Sequence, residues 1–214
     1  MSVVLPEPCL VLDGSARQGT SVGVLQDGQW RSQVLVEVGA MEACVENVAS
    51  ALNQTGLSLQ DIKSFAVCVG PGSILGIRIT ALAVRTWAAT QPRPIYTWDA
   101  LTAVAAWSLK AKRTPPFLAI SESRLKRWNV LLIKDASLSP AMAELSVDEV
   151  KAQALPLVSS SPMSHEVFPE INLVPSVWSA LPELLPQLAS ENSKPEALNP
   201  TNDFALWSGQ RHRG

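Results

Sequence analysis

Histidine is scarce in this 214-residue chain: only His165 and His212 occur. They are too far apart to form a helix-borne pair, and neither lies near a cysteine. A histidine-based zinc or iron site is therefore not expected. No G-x-S-x-G elbow accompanies His165, which reads as a surface loop residue, so a Ser-His-Asp triad is not expected either. Cysteine is also sparse. Cys9, Cys44 and Cys68 are odd in number and widely spaced. They form neither a disulfide framework nor a metal knuckle and read as reduced core residues. Charged residues make up 17%, and seventeen basic against nineteen acidic side chains leave a net charge of −2. So neutral a chain does not hold nucleic acid by global charge. Glycine almost disappears from the second half. Beyond residue 110 only Gly209 and Gly214 occur, which argues against a glycine-rich phosphate loop there. No apolar run is long enough to span a membrane, and Met1 to Pro8 lacks the features of a secretory signal, so the cytoplasm is the expected compartment.

What is abundant is apolar: 47% of residues are hydrophobic. That excludes intrinsic disorder and suffices for a core without covalent staples. Cys9 to Asp13, Thr20 to Leu25 and Trp30 to Val38 read as a three-stranded antiparallel meander, with Asp27-Gly28 as a tight turn. Met41 to Gln54 is a helix with Met41, Cys44, Val45, Val48 and Leu52 on one stripe, ended by Gly56. Phe65 to Val69 is a buried strand running into Gly70-Pro71-Gly72-Ser73. Ile74 to Thr90 is a helix stopped by Pro92 and Pro94. Ile95 to Thr97 is a short strand, and Trp98 to Leu109 a third helix. The order β-β-β-α-β-α-β-α predicts a mixed sheet with helices packed on it.

The basic, proline-bearing stretch 110–116 marks a boundary between an N-terminal lobe, 1–109, and a smaller C-terminal lobe, 110–214. In the second, Phe117 to Ser121 and Trp128 to Ile133 read as strands around a charged turn. Glu144 to Val147 reads as a strand and Val147 to Ala154 as a short helix. Ser159 to Pro162 reads as a loop, and Val174 to Ser190 as helical in part, made irregular by its prolines.

Helix 74–90 has two apolar stripes. Leu75, Ile79, Leu82 and Ala89 form one, taken to cover the sheet. Ile77, Ala81, Val84 and Ala88 form the other on nearly the opposite side, left for a second layer. With helix 41–54 as neighbour, the expected partner interface comprises Met41, Cys44, Val45, Ile77, Ala81, Val84 and Ala88.

Three constellations carry chemical interest. Asp13-Gly14-Ser15 stands at the end of the first strand, where a carboxylate could orient hydrated magnesium or simply shape a turn. Gly70-Pro71-Gly72-Ser73, followed by Gly76 and Arg78, offers a helix N-terminus. Its amides could meet an anion, or Ser73 could cap the helix; the lysine of the Walker pattern is missing. Finally, Lys110, Lys112, Arg113, Arg124, Lys126 and Arg127 hold six of the seventeen basic residues on two segments. They are either solvated turns or a patch for RNA phosphates or an acidic surface.

In order and spacing, Val11-Leu12-Asp13-Gly14-Ser15, Gly56 to Ile62, and Val69-Gly70-Pro71-Gly72-Ser73-Ile74-Leu75-Gly76-Ile77-Arg78 resemble the bacterial TsaB (YeaZ) family over residues 9–109. Glu122-Ser123-Arg124 resembles the family's Asp-Ala-Arg turn, and Pro195 to Phe204 its C-terminal ending. The chain departs in having Cys68 for the signature's leading glycine, Gly39-Ala40-Met41-Glu42 at the first helix, and serines 159–161 where glycine is usual.

The resemblance implies an α/β, actin-like ATPase and sugar-kinase (ribonuclease H-like) fold of two lobes with mixed sheets. It implies a part in making threonylcarbamoyladenosine (t6A) beside the tRNA anticodon, as a non-catalytic subunit. The partners would be a TsaD-like transferase and a TsaE-like ATPase, which would carry the ATP or ADP and the metal. A homodimer is expected when the chain is alone, and tRNA would be met only through the complex. Any contact of residues 13–15 and 70–78 with phosphate would be vestigial. The competing readings are an actin-like ATPase or phosphotransferase and, behind it, a glycoprotease-type peptidase.

Overall fold

The computed structural model describes residues 2–16, 19–36, 40–138, 141–175 and 177–192. Side chains at positions 36 and 40–43 also lie outside the described residues, Met41 among them, as do the 195–204 segment and the basic C-terminal residues.

The meander is present as β1 (Cys9–Asp13), β2 (Thr20–Gln26) and β3 (Gln29–Val36). Asp27 and Gly28 both take positive φ, 55° and 68°, at the β2–β3 turn. That is the backbone hand which matches strand twist. Helix α1 (Ala40–Thr55) leads through a short 3-10 turn to β4 (Ser64–Cys68), α2 (Ile74–Thr90), β5 (Ile95–Trp98) and α3 (Ala100–Lys110). Strands β1, β4 and β5 run parallel, β2 pairs antiparallel with β1, and β3 antiparallel with β2. The carboxyl ends of β1, β4 and β5 therefore meet at one edge of the sheet, where open α/β sheets place their ligand crevices.

A second mixed sheet contains β6 (Phe117–Glu122), β7 (Arg127–Ile133) and β8 (Met142–Ser146). They are followed by α4 (Val147–Ala152), β9 (Leu157–Ser159), α5 (Ser164–Val167) and β10 (Asn172–Leu173). Its order is β10-β9-β6-β7-β8. The stretch expected as a loop thus begins as a strand: Leu157-Val158-Ser159 pairs with β6. Three residues are too few for a periodicity signal. His165, expected in a loop, is exposed on the single turn of α5.

Strand alternation sorts the cores. Leu10, Leu12, Phe65 and Val67 face α1 and α2, while Cys9, Val11, Ala66 and Cys68 face the other way. On that second face lie Ala103 of α3 and Trp178, Leu181 and Leu185 from the chain's last third. Leu101, Val104 and Ala105 of α3 pack instead on Phe117, Ala119 and Leu131 of the second sheet. The far side of that sheet is covered by Val150, Phe168 and Ile171. The result is five layers, with α3 shared between the sheets. The boundary at 109/110 is crossed by the chain's return. After a 3-10 turn (Val177–Ala180), α6 (Leu181–Leu188) covers the first sheet, and β11 (Ser190–Glu191) pairs with β5 at its edge. The segment expected to be helical in part is a turn, a helix and the start of a strand, with Pro182 in the first turn of α6, where a missing N–H costs nothing.

Helix α3 closes with two backbone bonds, from the Lys112 amide to the Leu109 carbonyl at 2.9 Å and from the Arg113 amide to the Ser108 carbonyl at 3.0 Å. This is the Schellman pattern, whose left-handed position normally takes glycine. Lys112 occupies it at φ 63°, an arrangement costing a side-chain-bearing residue about 1 kcal/mol.

Candidate functional site

The crevice at the strand ends is built from β1, β4, β5 and the turns that follow them. Asp13 ends β1 and accepts the Ser15 amide at 2.7 Å. Burial raises the Asp13 pKa, opposed by hydrogen bonds from Ser15 and Cys68. Asp99, just after β5, caps α3 by accepting from the Thr102 amide at 2.6 Å and its hydroxyl at 2.8 Å. Burial raises its pKa as well, against those bonds. Cys68 lies between them, fully buried, with its thiol 4.0 Å from the Gly70 carbonyl. Burial and the Asp13 carboxylate push its pKa well above the ordinary thiol value, so it stays protonated. Sequence reasoning missed Asp99 because it placed the helix start at Trp98. An aspartate three residues before a threonine at the edge of an apolar run was the available signal.

The glycine signature is an interlock of backbones. Gly14 and Gly76 touch: a Cβ on Gly14 would meet the Gly76 carbonyl oxygen at 2.3 Å, and one on Gly76 the Gly14 oxygen at 2.1 Å. Gly72 is pressed in the same way on Ser15, whose oxygen would lie 2.1 Å from an added Cβ. The Ser73 amide donates to the Ser15 carbonyl at 2.7 Å, and the Ala100 amide to the Gly70 carbonyl at 2.7 Å. The Gly70–Ser73 loop, with a cis Gly70-Pro71 bond, is thus clamped between the β1–β2 turn and the start of α3. Ser73 caps α2, its hydroxyl accepting from the Gly76 amide at 3.3 Å. Of the two readings of this loop, the geometry takes capping and close packing. A phosphate does not fit between residues 13–15 and 72–76, because backbone fills that space. Arg78 is exposed on α2.

Helix α2 corrects the expected interface. Ile77, Ala81, Val84 and Ala88 pack in the protein's own core, with Ile77 4% exposed and Val84 fully buried. The stripe taken to cover the sheet is the outer one, with Leu75 58% and Leu82 62% exposed. Small residues decide this. Gly76, Thr80 and Ala81 let the helix lie close on β1 and the β1–β2 turn, which the bulkier Leu75 and Leu82 would prevent. On α1, Cys44 is buried and Val45 is 63% exposed, so of the expected interface residues with described side chains Val45 alone faces outward.

The basic set divides in two. Arg124, Leu125, Lys126 and Arg127 form the β6–β7 turn, with Leu125 and Lys126 at φ 56° and 60°. Arg127 pairs with Glu144 at 3.4 Å and Glu149 at 3.8 Å. Lys110, Lys112 and Arg113 precede β6, so one strand length, roughly 20 Å, separates the halves, and they make no common patch. Lys110 pairs with Glu183. Among the described residues no three of His, Cys, Asp and Glu gather as a metal site, and no helix is long and apolar enough to cross a membrane.

The sequence model of the family described as "TsaD: tRNA N6-adenosine threonylcarbamoyltransferase" matches residues 40–127. No curated protein sequence matches the chain. Among solved structures, YeaZ from Pseudomonas aeruginosa superposes with a TM-score of 0.66 at 18% identity, covering 90% of this chain and 98% of that one. An uncharacterized protein with similarity to peptidase YEAZ from Pseudomonas aeruginosa follows at 0.60 and 20% identity, over 78% and 81% of the two chains. At such identities the superpositions carry the fold, which is the two-sheet α/β architecture expected. The matched segment runs from α1 to the first residue of β7 and contains the whole Gly70–Arg78 signature. The chain is thus similar to the threonylcarbamoyltransferase family over that segment and shares the fold of YeaZ over nearly its full length.

Proposed function

We propose that this chain is a non-catalytic subunit in the biosynthesis of threonylcarbamoyladenosine on tRNA, acting by pairing with a TsaD-like transferase. The match of residues 40–127 to the threonylcarbamoyltransferase family carries the reading. The interlocked signature supports it, since backbone occupies the space where a phosphate would lie between residues 13–15 and 72–76. In this reading, nucleotide and metal chemistry belong to the partner and to a TsaE-like ATPase, and tRNA is met through the assembly in the cytoplasm.

The surface offered to the transferase, or to a second copy when the chain is alone, is the outer face of α1 and α2. Val45, Ile74, Leu75 and Leu82 are exposed there side by side with half-buried Ile79. Apolar side chains grouped on one helix face, rather than scattered singly, mark an interaction site.

Mass spectrometry of tRNA nucleosides from cells depleted of this protein tests the reading. Threonylcarbamoyladenosine should fall, and the purified chain alone should leave tRNA unmodified. Undiminished modification in depleted cells would refute the role, and modification by the chain alone would refute its non-catalytic character.

A further inference from the structure

At the C-terminal end of α3 a cavity of about 380 Å³ opens between the helix, the 111–114 turn and the strand segment around Asn172. It lies well away from the strand-end crevice, beyond the far end of α3. Its walls combine half-buried Trp107 and buried Val174 with the Asn172 amide, Thr114, Lys112 and Arg113. Among the described residues no carboxylate lines it. Among the described residues neither Lys112 nor Arg113 has an ion-pair or side-chain hydrogen-bond partner, whereas the neighbouring Lys110 is held by Glu183.

Cations after a helix C-terminus are ordinarily explained by its exposed carbonyls. Here the turn's own amides already take three of the last four carbonyls: Ala111 donates to Trp107, Lys112 to Leu109 and Arg113 to Ser108. The two charges are therefore not needed to close the helix. Lys112 even stands at a left-handed position that glycine would fill without strain. The backbone keeps a charged side chain where stability alone favours none.

We propose that this cavity binds a single nucleotide unit, with its phosphate on Lys112 and Arg113 and its base against Trp107. The volume sits at the small end of ligand pockets, a size suited to a small unit such as one nucleotide. An aromatic side chain beside two cations is the pairing that holds an unpaired base and its phosphate, and Asn172 adds a donor and an acceptor for a base edge. The unit comes either from single-stranded RNA or from a free mononucleotide. The site stands independently of the role proposed above: depletion can abolish the tRNA modification whether or not this cavity is filled.

The test is fluorescence anisotropy of a labelled short oligoriboadenylate with the full chain at low salt, with AMP as competitor. Binding should weaken with salt at a logarithmic slope of about −0.7, the value for one neutralised phosphate on a single strand. Lys112→Gly should weaken binding about tenfold while leaving thermal stability equal or higher, because the glycine relieves the backbone. Arg113→Gln should do the same to binding. Competition by AMP identifies a free mononucleotide as sufficient; binding of the oligomer alone identifies RNA. Wild-type protein that binds neither probe overturns the proposal. So does oligomer binding unchanged in both variants, which would place the contact elsewhere, for instance at the Arg124–Arg127 turn.

Discussion

Gly76→Ala separates the interlock from ordinary helix energetics. Gly76 lies in the first turn of α2 with helical φ, so propensity alone favours alanine by about 1 kcal/mol. The structure predicts the opposite sign. The added Cβ would lie 2.1 Å from the Gly14 carbonyl oxygen, and close packing demands roughly an ångström more. Neither side is a flexible side-chain end that could swing away, because both are backbone. The α2 start must move off the β1–β2 turn, which strains or breaks the 2.7 Å bond from the Ser73 amide to Ser15 and forces Gly72 away from the same residue. Overpacking of this kind costs about 1–3 kcal/mol, and the lost hydrogen bond about 1 kcal/mol more. Against the propensity gain, a net loss of about 2 kcal/mol remains. For a chain of this size that lowers Tm by about 4–8 °C. Thermal unfolding followed by circular dichroism reads it directly. A Tm equal to or above wild type would refute the close approach, and with it the view that the signature glycines serve packing.

Two further outcomes follow from burial and charge. Leu82→Asp should keep the native circular dichroism spectrum and abolish self-association or partner binding in light scattering, whereas Val84→Asp, on the fully buried stripe, should unfold the chain; a folded Val84→Asp variant would contradict the assignment of faces. The pKa of Asp13 is raised on folding, so the native state holds a proton where the unfolded chain has lost it. Asp13 therefore makes stability fall as pH rises from the model-compound value of 3.8 through its folded pKa. Asp13→Asn should flatten that fall in urea denaturation across the window, and an unchanged slope would assign it to another group.

Most elements of the first half were legible because their signals are local. Helix 74–90 was bounded by Ser73 and Pro92, and the meander by alternation and Asp27-Gly28. The facing of α2 was not legible from hydrophobicity, because both stripes are apolar and only residue size tells them apart. Gly76, Thr80, Ala81 and Ala88 mark the side that approaches other backbone, a cue that weighs smallness above greasiness. The interlock itself joins Gly14 to Gly76 and Ser15 to Gly72, pairs about sixty residues apart, and no local window contains both members. The same holds for β9, β10 and β11. They are two or three residues long and exist only through their neighbours.

The last third of the chain completes the first sheet, and this orders events during synthesis. The face formed by Cys9, Val11, Ala66 and Cys68 is covered by Trp178, Leu181 and Leu185, and the open edge of β5 is sealed by Ser190 and Glu191. A ribosome delivers the first five strands long before it delivers those lids. Until about residue 190 has left the exit tunnel, the nascent chain carries an apolar sheet face covered only in part, by α3, and an unpaired strand edge. Both are surfaces that chaperones hold and that neighbouring nascent chains can capture. The N-terminal lobe, first to be made, is thus among the last parts to be finished, and its maturation is tied to the translation of the whole described chain.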